Sequence, residues 1–368
     1  MNILQIVPEL NSGGVERTTL EIAEALFKQG FTPHICSQGG RLEPEFVELG
    51  AKLHCLNIGS KNPLKYSAHK KALIKIIKDE KIDLIHARSR APAWPAYAAA
   101  RAAGRPFVTT YHGIYNASSR LKRHYNAIMA KGDLVIANSE YTKSHIIKEH
   151  RLDPGKIRVI PRGVDMALFD PKTVYPEDIK KLRNSWDVGT DEKAILLPGR
   201  LTRWKGQLVA IRALAALPIA CKLILLGDAQ DRTAYQAEIK KLAANLGIVQ
   251  QIVMPGHFSN VPLALMAADI VIAPSIKPEA FGRVVTEAQA MGRPVIASNH
   301  GGPMETIISE KTGFLVDPND NLLLAHAIKR GLNWPAYDPK FARDHVRQKY
   351  SKKQLQTKTL EVYSELLM

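Results

Sequence analysis

Seven short apolar runs in the first half of the chain and six in the second restrict its fold more than any other feature. They occupy residues 3–7, 32–37, 53–56, 84–86, 107–110, 134–137 and 158–160, then 194–197, 222–226, 252–254, 270–273, 295–297 and 314–316. Most of the runs are dominated by apolar residues and lack a regular apolar–polar alternation. A strand of that kind is covered on both faces, as in a parallel sheet held between helical layers. Segments with apolar residues at three- and four-residue spacing separate most of the runs, notably from Gly14, Leu64, Ala91 and Ser139. The pattern reads as α/β, repeated in two series.

A chain of 368 residues exceeds one ordinary core and suits about two domains of ~150 residues. Two series of strands then give two Rossmann-like domains with a cleft between them. The linker falls within 162–178, which is rich in Pro and Asp and poor in periodicity. The tail after residues 337–341 reads as helical to the end. A composition of 45% hydrophobic and 23% charged residues is globular. No apolar run reaches 18 residues, so no transmembrane helix is expected. The opening "MNILQIVPEL" lacks the basic start of a signal peptide and reads as a first strand. Cys36, Cys55 and Cys221 form no C-x-x-C and suit reduced, buried thiols in a cytoplasmic protein.

The net charge is +16, and residues 1–165 carry 25 Lys+Arg against 15 Asp+Glu, a balance of +10. The densest segments are 61–81 and 120–131, both with helical apolar spacing. They read either as solvated helix faces or as contacts to an anionic surface, lipid headgroups or nucleic acid. No aromatic-rich basic motif supports nucleic acid.

In open parallel sheets, ligands sit beyond the carboxyl ends of the strands, so the loops that follow strands are the places to look. After the first strand, "NSGGVER" puts Gly13 and Gly14 at a helix start, where free backbone N–H groups and the helix dipole favour an anion. It reads equally as a tight turn capped by Ser12. In "PGRLTRWKG", Arg200, Arg203 and Lys205 follow a strand end closely, as a phosphate or diphosphate clamp would, or as a basic surface loop. Gly227 opens the loop 227–232. In "PGHFSN", His257 and Phe258 follow a strand, and the Phe258 ring with its backbone could accept a flat base. In "PEAFGRVVTEAQAMG", Pro278 disfavours helix before it and Gly282 offers a helix start. Glu279 is then on the loop and Glu287 about one and a half turns into the helix, some 12 Å further along. Two carboxylates so spaced address different parts of one elongated ligand, sugar hydroxyls near the helix start and a ribose diol further in. Backbone N–H groups at Ala280, Phe281 and Gly282 would share hydroxyl recognition. A general acid and base would have to converge on one bond. The plainer reading is a helix cap at Glu279 and an ion pair at Glu287.

Residues 274–320, "PSIKPEAFGRVVTEAQAMGRPVIASNHGGPMETIISEKTGFLVDPND", resemble the C-terminal signature of the retaining GT-B glycosyltransferases of glycosyltransferase family four. That signature has Glu-x7-Glu, matched by Glu279 and Glu287, then Gly-x-Pro-Val, Gly-Gly with Glu, and Gly-Phe-Leu-Val. "PGRLTRWKG", "SGGVER", "ANSEYTK" and "VIPRGVD" match further family segments, so the resemblance runs along nearly the whole chain. It implies a GT-B fold: an acceptor-side domain over 1–165, a donor-binding domain over 166–345, and a helix over 346–368 that crosses back to the first domain. It implies transfer of a sugar, with retention, from a UDP-, GDP- or ADP-sugar to a hydroxyl. Glu287 would hold the ribose, and Glu279 with the N–H groups after it the sugar. Arg200 and Lys205 would hold the diphosphate, and Gly14 would approach the phosphates. His112 of "TYHGIY" matches a family histidine beside the donor sugar. Arg162 departs from the family's frequent Asn before Gly163, and Gln289 from a common Met.

No D-x-D occurs in the chain, so no metal or other cofactor is expected, with cations taking the metal's part. The acceptor reading is a lipid-linked or cell-envelope glycan such as lipopolysaccharide, made at the cytoplasmic face of an anionic inner membrane. The alternatives are a soluble small-molecule acceptor, a sugar-nucleotide epimerase or a non-catalytic nucleotide-sugar binder.

Overall fold

The computed structural model describes residues 1–368 except Ser12, Lys61 and Asp231. The chain forms two compact units, Met1–Gly163 with Lys352–Met368, and Val164–Ser351.

The first unit is a seven-stranded parallel sheet of β1 (Ile3–Ile6), β2 (Pro33–Ser37), β3 (Lys52–Cys55), β4 (Leu84–Ala87), β5 (Phe107–Tyr111), β6 (Leu134–Ala137) and β7 (Ile157–Val159). Their spatial order is β3-β2-β1-β4-β5-β6-β7. Every residue of β1, β2, β4, β5 and β6 is buried, as continuous apolar runs require. Edge strand β3 is half exposed. On one face, the helix Lys352–Leu367 packs on the helix Gly14–Lys28, and Leu355, Leu360, Val362 and Tyr363 join Ile3, Ile22 and Leu26 in one apolar cluster. Gln356 Nε2 donates to the Glu21 carbonyl at 2.7 Å.

The second unit is a six-stranded parallel sheet of β8 (Lys193–Pro198), β9 (Cys221–Leu226), β10 (Ile252–Gly256), β11 (Ile270–Ala273), β12 (Val295–Ser298) and β13 (Gly313–Val316), ordered β10-β9-β8-β11-β12-β13. Apolar clusters cover both of its faces, one around Leu196, Val271 and Val295, the other around Ile195, Ile272 and Ile296. Successive residues of one strand feed opposite clusters because side chains alternate across the pleat.

Three expectations change. The segment 162–178 is no free linker: Val164 and Phe169 are buried in the second unit's core, and a helix begins at Pro176. Residues 346–368 are not one helix. The helix Pro339–Lys349 ends in the second unit, and Tyr350 turns inward, its hydroxyl donating to the Glu305 carbonyl at 2.7 Å, before the last helix starts at Lys352. Cys36 and Cys221 are buried, but Cys55 lies on the half-exposed edge strand and is itself exposed.

Candidate functional site

Strand order locates the crevices. In each sheet the order reverses beside one strand, β1 in the first and β8 in the second, and ligands bind beyond the strand ends at such a reversal. The second unit's reversal lies between β8 and β11, and the loops leaving those two strands carry Lys205 and Glu279.

After β8 the chain makes a short 3₁₀ turn, Arg203–Lys205, and enters the helix Gln207–Ala215 through Gly206 at φ 78°. A Cβ on Gly206 would stand 1.9 Å from the Pro274 carbonyl, so only glycine lets the two loops approach. The Ile276 N–H donates to the Trp204 carbonyl at 2.8 Å and ties them together. Lys205 Nζ lies 2.8 Å from Glu279 Oε1, with both side chains about seven-eighths buried, and Ser275 Oγ donates to the same oxygen. The expectation of Glu279 as a helix cap fails. The helix Arg283–Ala290 is capped by Gly282 at φ 84°, with no side chain involved, and the Glu279 carboxylate faces Lys205.

Glu287 lies on that helix and pairs with Arg283 at 3.0 Å, as its plainer reading held. Burial raises its pKa above the ordinary carboxylate value, while Arg283 and Lys205 pull the other way. Lys205 is thus felt by both glutamates. Arg203 leaves the expected cluster: it pairs with Glu238 and stacks over the Tyr235 ring on the exposed surface. Arg200 is exposed, and its carbonyl accepts from buried Gln207 at 3.0 Å. A Cβ on Gly227 would lie 2.0 Å from the Gly199 carbonyl, so Gly227 lets the β8 and β9 loops meet. His257 is exposed after β10, and Phe258 packs partly against the core. Phe281 is buried edge-on to Tyr350, and the Gly302 N–H donates to the Glu279 carbonyl at 2.8 Å, which fixes the loop from behind. Gln289 is buried and donates to the Thr306 carbonyl and Thr312 Oγ1.

In the first unit, Gly13 and Gly14 follow β1 and open a helix, with Gly13 as its cap residue; Ser12, the expected cap, lies outside the described residues. His112 follows β5. Its Nδ1 is 3.2 Å from Arg162 Nη2, its carbonyl accepts from Asn138, and its Nε2 is buried with no hydrogen-bond partner. Burial, then Arg162 and Arg88, hold its titration well below the ordinary histidine range. Arg88, just past β4, is a buried cation that sequence reading missed; its Nε donates to Gln5 Oε1 at 2.9 Å. The available signal was a charge two residues beyond the buried run 84–86. A cavity of about 460 Å³ lies near the carboxyl edge of β4, lined by Tyr66, His69, Trp94, Pro95, His124 and Tyr125 among others. Among the described residues, no three His, Cys, Asp or Glu side chains cluster as metal ligands would.

Residues 12–168 match the family described as Glycosyltransferase Family 4, and residues 178–352 that described as Glycosyl transferases group 1. The crystal structure of a glycosyltransferase from Rickettsia africae ESF-5 superposes with a TM-score of 0.92 at 40% identity, covering 100% of this chain and 98% of that one. The chain belongs to the group 1 glycosyltransferases of family four. The fold of this glycosyltransferase is accordingly GT-B, with its two parallel sheets. Anabaena Alr3699/HepE, solved in complex with UDP and glucose, is 26% identical with a TM-score of 0.86, and each chain covers 100% of the other. The D-inositol 3-phosphate glycosyltransferase of Xylanimonas cellulosilytica is 32% identical over 206 residues, 55% of this chain and 49% of that protein. The chain thus spans about half the length of that curated relative. No helix among the described residues is long and apolar enough to cross a membrane.

Proposed function

We propose that this glycosyltransferase moves a sugar, with retention and without a metal, from a nucleotide diphosphate donor to a hydroxyl. The observation that carries the reading is the Lys205–Glu279 pair at the strand reversal of the second sheet, with Glu287 close enough to feel the same cation. A diphosphate entering there competes with Glu279 for Lys205. The freed carboxylate then accepts from hydroxyls of the sugar, while Arg200 adds a second cation from the same loop. Charge that grows on the leaving diphosphate meets Lys205 already in place, which is where a fixed cation lowers a barrier most. Glu287 holds the ribose diol. By the family resemblance, the helix start at Gly14 and His112 are the first unit's candidates for the phosphates and the transferred sugar. UDP is the nucleotide to try first, because the HepE structure holds UDP and glucose.

For the acceptor, a lipid-linked glycan at an anionic membrane is supported by the basic segments of the first unit. Leu64 and Leu121 stand 87% and 83% exposed in those segments, and both segments line the aromatic cavity through Tyr66 and His124. A soluble phosphorylated polyol is the second reading, favoured by the similarity to the D-inositol 3-phosphate glycosyltransferase of Xylanimonas cellulosilytica. Incubation with UDP-, GDP- and ADP-sugars without acceptor tests the core of the proposal. Slow release of nucleotide supports a transferase, isomerised sugar an epimerase, and binding without turnover a non-catalytic binder. The anomeric configuration of the product, read by NMR, tests retention.

A further inference from the structure

Arg162 comes three residues after β7, yet its guanidinium reaches across the first unit's sheet edge to two other loops. Nη1 donates to the Gly14 carbonyl and, at 3.2 Å, to Thr18 Oγ1. Nη2 sits 3.2 Å from His112 Nδ1. A guanidinium has only N–H groups to offer, so in this contact Nδ1 accepts. A neutral imidazole carries one hydrogen, which then resides on Nε2. The ring faces two cations, Arg162 and Arg88, together with His86, and Tyr115 bonds to its backbone; no carboxylate stands among the groups that shift it. Protonation is opposed from every side, and burial opposes it further. Nε2 itself is buried without a protein partner. A buried N–H with no acceptor is costly, so one retained in a native protein calls for a partner or a role at a site.

We propose that Arg162 is a positioning residue: it ties the Gly14 turn to His112 and locks the imidazole as the neutral Nε2–H tautomer, which donates to an oxygen of the bound nucleotide-sugar. The contact to substrate rests on the proposed function; the lock on the ring does not. A glycine at position 14 also belongs to this arrangement, since a Cβ there would come 2.7 Å from Arg162 Nη1. Arginine spans from the β7 loop to both partners, whereas an asparagine side chain at that backbone position is three atoms shorter and cannot hold both.

The test is long-range ¹⁵N–¹H NMR of histidine-labelled enzyme, with the His112 signals assigned by their loss in His112→Gln. The expected ligand-free spectrum shows the neutral Nε2–H pattern, unchanged from pH 8 to pH 5.5. An Nδ1–H pattern, or a ring that titrates in that range, overturns the lock. Adding UDP-glucose to a complex verified by calorimetry should move the Nε2 resonance more than adding UDP does; equal movement overturns the donation to the sugar nucleotide. Arg162→Met should lower kcat/KM for UDP release by about tenfold, one hydrogen bond's worth, and give the activity profile an acid limb. Arg162→Lys, which can also only donate, should keep the Nε2–H pattern and most of the activity. If Arg162→Lys loses as much as Arg162→Met while both melt like wild type, the positioning role is wrong. Calorimetry with nucleotide-sugars judges the functional reading separately, so the two failures are told apart.

Discussion

Lys205→Met is the perturbation that most directly examines the donor site. Two opposite unit charges 2.8 Å apart attract by about 6 kcal/mol at an effective dielectric constant of ~20. Both side chains are only 13–14% exposed, so the cost of desolvating them cancels much of that attraction. Removing the lysine therefore does two things. It deletes the cation that would meet the diphosphate, and it leaves the Glu279 carboxylate with only Ser275 beside it, repelling the same diphosphate. The first loss should cost at least ~2.7 kcal/mol of transition-state stabilisation, roughly a hundredfold in rate. The second should be undone by adding Glu279→Gln: the double variant should bind UDP several-fold better than Lys205→Met alone. The coupling in the cycle should be ~1–3 kcal/mol, as for residues in direct contact. The assay is UDP release from UDP-glucose for kcat/KM, calorimetry of UDP with the four proteins of the cycle, and thermal melts to confirm folding. A Lys205→Met enzyme with half its turnover, or a cycle that is simply additive for UDP, would refute the reasoning.

Glu287→Gln should weaken UDP and UDP-glucose alike by about tenfold, one diol hydrogen bond's worth, whereas Glu279→Gln should spare UDP and impair UDP-glucose; equal losses in calorimetry would void the ribose and sugar assignments. Activity should persist in excess EDTA, and abolition restored by Mg²⁺ or Mn²⁺ would defeat the cationic account. Stability should fall as pH drops below ~6.5, because burial holds His34 at about 4 and His86 and His112 well below the usual range, so the unfolded chain takes up protons the native one refuses. Each such histidine contributes up to ~1.4 kcal/mol per pH unit there; Glu287, raised by burial, works in the opposite direction, and a melting temperature flat from pH 7.5 to pH 5 would contradict the sign. The protein should sediment with anionic vesicles at low salt and release at high salt, each basic residue near the surface adding about 1 kcal/mol; Leu64→Glu with Leu121→Glu should abolish this, and no preference over neutral vesicles would favour a soluble acceptor.

The strands were readable because parallel strands are apolar on both faces, and a continuous apolar run needs no knowledge of the partner strand. All thirteen runs became strands; 134–137 and 270–273 coincide with theirs, and the other ends are displaced by at most two residues. What one-dimensional spacing lacks is direction. Arg203 and Lys205 stand two apart and look equivalent as cations. In a 3₁₀ turn they are ~240° apart around the axis, and the fold sends one outward to Glu238 and the other inward to Glu279. Glu279 likewise looked like a cap because it precedes a helix. Its orientation is decided by the Gly302 N–H on its carbonyl and by Ser275 and Lys205 on its carboxylate, none of them a near helical neighbour.

The charge count shows the same limit in another form. The +10 of residues 1–165 counts every cation alike, but the structure places those cations in different surroundings. Lys75 is paired with Asp79, Lys52 with Glu80 and Arg123 with Glu149, which reduces the field at the surface. Arg88 is buried beyond β4, and Arg162 is bound to the Gly14 turn and His112. A cation held inside by hydrogen bonds cannot screen a lipid headgroup, and a cation on an exposed helix cannot fix a tautomer. The exposed Lys65, Lys71, Lys78, Arg120 and Lys122 remain for a membrane or an anionic acceptor. A membrane contact built on those five and two exposed leucines is necessarily weak and salt-sensitive, whereas the hydrogen bonds that Arg88 and Arg162 make inside the first unit persist at any ionic strength, because buried charges are little screened.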